Sequence, residues 1–232
     1  MRSLLLIALI ALSSRAHAFE PTDSYTRTQL EGFQVLLSSE LEKHPEEKKA
    51  AIEELASQIR DIRKMLPREA YFRLQHVPIW MEWRYKENGA AEYHPSALWL
   101  RRNGYNPSKA KAVEINNAVN FVKWSNSSQP SMLLHELAHA WHHLVITHED
   151  KEVLEAFEAA TKSGGYDQVK HVKGRTVRAY ALTNDKEYFA EVTEAYYGKN
   201  DMFPFTREEL KKHDPKGFEA VEKAWAQKPS RP

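Results

Sequence analysis

The chain has 232 residues, 42% of them hydrophobic and 28% charged, with a formal net charge of +1 at pH 7. That length supports one domain with a sizeable core, and the balance of 33 basic against 32 acidic residues points to neither a nucleic acid nor an anionic membrane surface as partner. The absence of cysteine excludes a disulfide framework, a thiolate metal site and a cysteine nucleophile, so any metal must be held by His, Asp or Glu.

Residues 1–18 read as a secretory signal peptide. Arg2 supplies the positive start, Leu4 to Leu12 form an apolar run, and Ala16-His17-Ala18 places small residues where cleavage before Phe19 requires them. The run is shorter than the roughly 20 apolar residues of a spanning helix, so no membrane span is expected after cleavage. The expected location is secreted or periplasmic, and the oligomeric state is left open. Residues 19–232 are expected to form a single domain, with 19–67 as an N-terminal helical pair and 68–232 as the part that carries the chemistry.

From Asp23 to Leu66, Leu30, Phe33, Leu37 and Leu41 keep helical spacing in a first segment, and Ile52, Leu55, Ile59, Ile62 and Leu66 do so in a second. His44-Pro45 separates these two predicted helices and Pro67 ends the second. Val77 to Trp83, Ser96 to Leu100 and Ala112 to Ile115 are short apolar pieces that read as strands of a small sheet, and Asn116 to Trp124 suits a short helix or a further strand. Pro130 then precedes a helix predicted from Ser131 to about Ile146, buried through Leu133, Leu134, Leu137, Trp141 and Leu144. A helix over Glu152–Lys162 ends at Gly164-Gly165, and Val169 to Val177 around Lys173-Gly174 reads as a hairpin or loop. A helix from Asn184 or Asp185 to Tyr197 is expected to close on Gly198 in a left-handed cap. Thr206 with Glu209 forms a capping box, and Asp214 before Pro215 is an N-cap followed by a first-turn proline, so two short helices finish the chain.

The informative string is His135-Glu136-Leu137-Ala138-His139. Histidines four apart on a helix lie about 40° apart around its axis, so both imidazoles reach one cation while the glutamate between them faces a water on that cation. This is the HExxH signal of zinc peptidases. Such sites need a third protein ligand and an open fourth position. A histidine six residues after the second, with a glycine between, does not supply it here, because those positions hold Val145 and His142. Downstream, Glu187, Glu191 and Glu194 lie at spacings of four and three on one helix face. Glu187 is the favoured ligand, with Glu191 one turn later orienting a histidine. Glu187 also occupies the third helical position after Asn184, where a capping-box glutamate would serve the backbone; in that case Glu191 becomes the ligand. His142 and His143 are expected to stay outside the ligand set, since two histidines and one carboxylate already fill it.

HELAHAWHH followed by Tyr180-Ala-Leu-Thr-Asn-Asp-Lys-Glu187-Tyr-Phe-Ala-Glu191 resembles the gluzincin peptidases, most closely the secreted group typified by anthrax lethal factor and the Pro-Pro endopeptidases. The resemblance covers about Leu133 to Tyr197. It implies an α+β, zincin-like metallopeptidase domain with a small mixed sheet, an active-site helix and a helical C-terminal part, behind the N-terminal helical pair. It also implies a tyrosine seven residues before the ligand glutamate that stabilises the oxyanion, a spacing Tyr180 meets; His171 is the rival donor. The expected function is that of a secreted zinc-dependent endopeptidase acting on a peptide or protein substrate, with Zn2+ on His135, His139 and Glu187 and with Glu136 as general base. The alternative is a catalytically inactive secreted protein that keeps zinc on the same fold.

Overall fold

The computed structural model describes residues 19–227. The expected signal peptide over 1–18 lies outside the described residues. In chain order the elements are β1 (Thr26–Leu30), β2 (Phe33–Leu37), α1 (Ser39–Glu42), α2 (Pro45–Met65), α3 (Arg68–Leu74), β3 (Ile79–Met81), β4 (Glu92–His94), α4 (Ala97–Arg102), β5 (Ala112–Ile115), α5 (Ala118–Ser125), α6 (Met132–Trp141), α7 (Lys151–Ser163), β6 (Val169–Lys170), β7 (Thr176–Val177), α8 (Asp185–Tyr197), α9 (Arg207–His213) and α10 (Pro215–Ala226). This is an α+β fold: a five-stranded mixed sheet in the order β1-β2-β3-β5-β4, with a helical C-terminal part. No described helix is long and apolar enough to cross a membrane.

The first predicted helix of the N-terminal pair is instead a β-hairpin. Leu30 pairs with Phe33, leaving Glu31 and Gly32 as a two-residue loop with φ of 50° and 93°. Positive φ at both loop positions matches the twist of antiparallel strands. A side chain on Gly32 would fall 1.9 Å from Gln75 Nε2, so the turn also needs the close approach that glycine permits. Phe33, Val35 and Leu37 alternate inward from β2, a period of two that coexists in the sequence with the helical spacing of Leu30, Phe33 and Leu37. The second predicted helix is α2, which buries Leu55, Ile59 and Ile62.

Parallel pairing of β2 with β3 and of β3 with β5 aligns Val35, Ile79 and Val113, and then Leu37, Met81 and Ile115. That face joins a continuous cluster of buried side chains running from Phe33 to Trp225. The opposite face carries Leu36 and Trp80 with Tyr25, together with a buried ionic set. Lys109 Nζ donates to Glu82 at 2.5 Å and also bonds Glu114, Tyr25 donates to Glu82 at 2.6 Å, and His94 Nε2 meets Glu114 at 2.6 Å. Removing charges from water is costly unless they are paired and hydrogen-bonded, as these are. The set ties the edge strand β4 to β5.

Ser96 to Leu100, expected as a strand, is the start of α4: the Ser96 hydroxyl accepts from Trp99 N and caps the helix. The edge strand is the preceding tripeptide Glu92–His94, whose three residues are too few to show an alternation. Asn116 to Trp124 resolves into α5 behind an Asn117 cap, and Val169 to Val177 is a short hairpin turning at Gly174 with φ of 82°. Gly164 caps α7 with φ of 69°. Gly198 does not adopt the expected left-handed cap, since its φ is −122°. A glycine sits there because a Cβ would lie 2.5 Å from Ser131 Oγ, where α8 ends against the start of α6.

Candidate metal centre

Helix α6 is held by its apolar side. Leu133, Leu134, Leu137 and Trp141 are buried, the Trp141 indole stacks on Trp225 at 4.8 Å, and its Nε1 donates to Ala224 O. With that side fixed, the polar residues of α6 face a cleft of about 450 Å³. Helix α8 packs along α6 and supplies the opposing wall. Its N-cap is Asn184, whose side chain accepts from the backbone of Lys186 and Glu187.

Glu187 Oε2 lies 3.1 Å from His135 Nε2 and 3.3 Å from His139 Nε2, and the three donor atoms all lie within 4.8 Å of one another. The capping-box role is thereby declined: Asn184 serves the backbone, while the Glu187 carboxylate points across to the imidazoles. Burial works against its ionisation, yet the two histidines hold its carboxyl well below the usual carboxylate range. Two imidazoles and a carboxylate converging in this way are a group that could hold a metal ion.

The contact with the other ring nitrogen of His135 differs from expectation. Glu194 Oε1 lies 2.6 Å from Nδ1, whereas Glu191 Oε1 is at 3.8 Å. A carboxylate on Nδ1 sets the tautomer, leaving the Nε2 lone pair for a cation. Glu194 is seven residues past Glu187, which returns it to the same helix face; the spacing was visible in sequence, but the choice between Glu191 and Glu194 depends on how α8 is rotated against α6. Burial pushes Glu194 up to about 7 and raises Glu191 well above its ordinary value, with the charge of Glu194 adding to the latter.

Glu136 lines the same cleft and is 8% exposed. Burial raises its carboxyl, and the two histidines oppose the rise. Tyr180 is 46% exposed, lines the cleft, and holds its ring 6.4 Å from that of His135. Burial and the Glu187 charge raise its phenol, so it stays protonated and able to donate at neutral pH. His171 is placed otherwise. It is 5% exposed, its Nδ1 accepts from Lys173 N, and its Nε2 faces Asp201 at 3.6 Å in an adjoining cavity. His142 is fully buried after α6 has passed into the π-helical turn His142–Ile146, and His143 Nδ1 meets the Tyr93 hydroxyl at 2.9 Å; neither joins the metal group. Sequence reasoning missed the far wall of the cleft, made by Ala90, Ala91, Glu92 and Tyr93 of the edge strand and its approach, and missed Asp201.

Compared with known proteins, the chain matches no family model, no curated protein and no solved structure.

Proposed function

We propose that this chain is an exported, zinc-dependent metallopeptidase of the gluzincin kind, with a zincin-like fold, acting on a peptide or protein substrate outside the cytoplasm. The observation that carries the reading is the convergence of His135, His139 and Glu187, with one carboxylate oxygen within 3.3 Å of both imidazole Nε2 atoms. Zinc suits the donor set, since imidazole nitrogen and carboxylate oxygen are its ligands in sites that keep an open position. When bound, zinc lowers the pKa of a coordinated water to about 7 and polarises the scissile carbonyl.

The remaining work falls to this chain's own side chains. Glu136, between the two histidines on the cleft face of α6, takes the proton of the attacking water and passes it to the leaving amine. Tyr180 donates its hydroxyl to the oxyanion, a role favoured over His171 by its exposure and by its place in the cleft. Glu194 holds His135 in the tautomer that presents Nε2. The substrate lies along the outer side of the edge strand β4, which borders the cleft through Glu92 and Tyr93 and takes up an extended peptide as an added strand.

The test is zinc content and peptide cleavage for the wild type and Glu136→Gln. Retained zinc with cleavage lost supports the scheme, and unchanged cleavage removes Glu136 from it. A wild-type protein that holds zinc and cleaves nothing favours the alternative of an inactive zinc-binding protein on the same fold.

A further inference from the structure

Past the metal group, on the Nδ1 side of His135, the cleft wall is built from acids. Glu191, Glu194 and Asp201 are 5%, 5% and 8% exposed, and all three line the cleft. Glu194 is engaged with His135 and Asp201 faces His171, but among the described residues the buried Glu191 Oε2 has no hydrogen-bond partner. Buried polar atoms are nearly always satisfied, and a buried carboxylate oxygen left alone is costly. The adjoining cavity of about 290 Å³ shares Trp124, Gln129, Tyr180, Glu191 and Asp201 with the cleft, so Glu191 and Asp201 stand where the two spaces meet, beside Tyr180. Lys173 and Arg175 line that outer cavity, yet among the described residues no ion pair joins either to Glu191 or Asp201.

We propose that Glu191 and Asp201 form a recognition subsite for a cationic side chain, the ammonium of lysine or the guanidinium of arginine, borne by the substrate residue next to the scissile bond. The assignment rests on the peptidase reading above and names its substrate class. A second metal ion is the competing occupant, since His135, Glu191 and Glu194 also form a group with donor atoms within 4.8 Å. The 2.6 Å contact to Glu194 argues against it: a His135 that presents Nε2 to the first site carries its proton on Nδ1 and has no second lone pair to offer. An organic cation needs only acceptor oxygens, and a charge-assisted hydrogen bond is what Glu191 Oε2 lacks.

Two measurements test this. In the first, the zinc-loaded wild type, Glu191→Gln and Asp201→Asn are given peptides that differ only in lysine or norleucine on either side of the cleaved bond. The expected wild-type preference for lysine at one of these positions is at least tenfold in kcat/KM, and the lysine-to-norleucine ratio falls about tenfold in each variant. In the second, N-acetyl-lysine methylamide and its norleucine counterpart are titrated by NMR into zinc-loaded Glu136→Gln and into Glu136→Gln/Glu191→Gln, with the fold of each checked by circular dichroism. Binding of the lysine probe alone, lost in the double variant, supports the subsite and needs no turnover, so a failure of the peptidase reading shows separately as absent wild-type cleavage. Equal cleavage of the lysine and norleucine peptides by the wild type overturns the proposal, as does lysine-probe binding indifferent to Glu191→Gln. A second bound equivalent of zinc that disappears in Glu191→Gln overturns it in favour of a metal ion.

Discussion

Acidification from pH 7 to pH 5 is expected to cost this protein about 2 kcal/mol of stability through one side chain, His142. Its imidazole is fully buried, neither ring nitrogen has a hydrogen-bond partner among the described residues, and its ring packs 4.9 Å from Phe189 and 4.9 Å from His148. Burial lowers its pKa to about 3, and the positive charge of His148, His139, Lys186 and His143 acts in the same direction. In the unfolded chain the group returns to about 6.5, so the unfolded state takes up a proton first as the pH falls. The contribution is therefore fully present above about pH 6.5 and is lost progressively from there towards pH 3. The assay is urea unfolding of the wild type and His142→Leu at pH 7 and pH 5, with a chelator present to remove metal linkage. Other histidines titrate in both proteins and cancel in the difference. The wild type should lose about 2 kcal/mol more than the variant between the two pH values, and His142→Leu should be the more stable at pH 7 by about 1–3 kcal/mol, because two unsatisfied nitrogens are gone. Equal losses in the two proteins would refute the reasoning.

Tyr180→Phe should lower kcat by about 10²–10³-fold with little change in KM if the hydroxyl meets only the transition state; an unchanged kcat in steady-state kinetics returns the role to another donor. Glu194→Ala should weaken metal binding by about 10–100-fold in chelator competition, because the His135 Nδ1 partner is lost, and a wild-type affinity would show that the 2.6 Å contact does not orient the ligand. Asp214 accepts the Tyr188 hydroxyl at 2.5 Å, the Tyr166 hydroxyl at 3.0 Å and Gly217 N at 2.9 Å. Asp214→Ala should thus cost about 3 kcal/mol or more, a lost cap plus two orphaned buried phenols, and a shift in urea midpoint worth under about 1 kcal/mol would contradict that account.

Much of the site was legible in the sequence because its information is local. His135, Glu136 and His139 share a face through the geometry of one helix, Asn184 caps α8 as its residue type demands, and the Thr206–Glu209 box and the Asp214–Pro215 start form within a turn. The N-terminal strands were less legible for the opposite reason. The apolar positions of Leu30, Phe33 and Leu37 satisfy helical spacing while Phe33, Val35 and Leu37 satisfy alternation, and only the pairing of β2 with β3 decides between them. Ser96 to Leu100 suits a strand in sequence because so short an apolar run lacks a period long enough to tell helix from strand.

By itself, then, the amino-acid order determined the paired histidines, the glutamate between them, the helix caps and the absence of any thiol ligand, since each depends on neighbours within a turn or on residue type alone. Tertiary packing decided that Glu187 meets the imidazoles, that Glu194 rather than Glu191 takes the His135 Nδ1 contact, and that an edge strand and an acidic wall enclose the cleft. Those outcomes turn on the rotation and approach of α8 against α6 and on strand order in the sheet. Both are set by contacts between residues tens of positions apart, which leave no periodic trace in either segment.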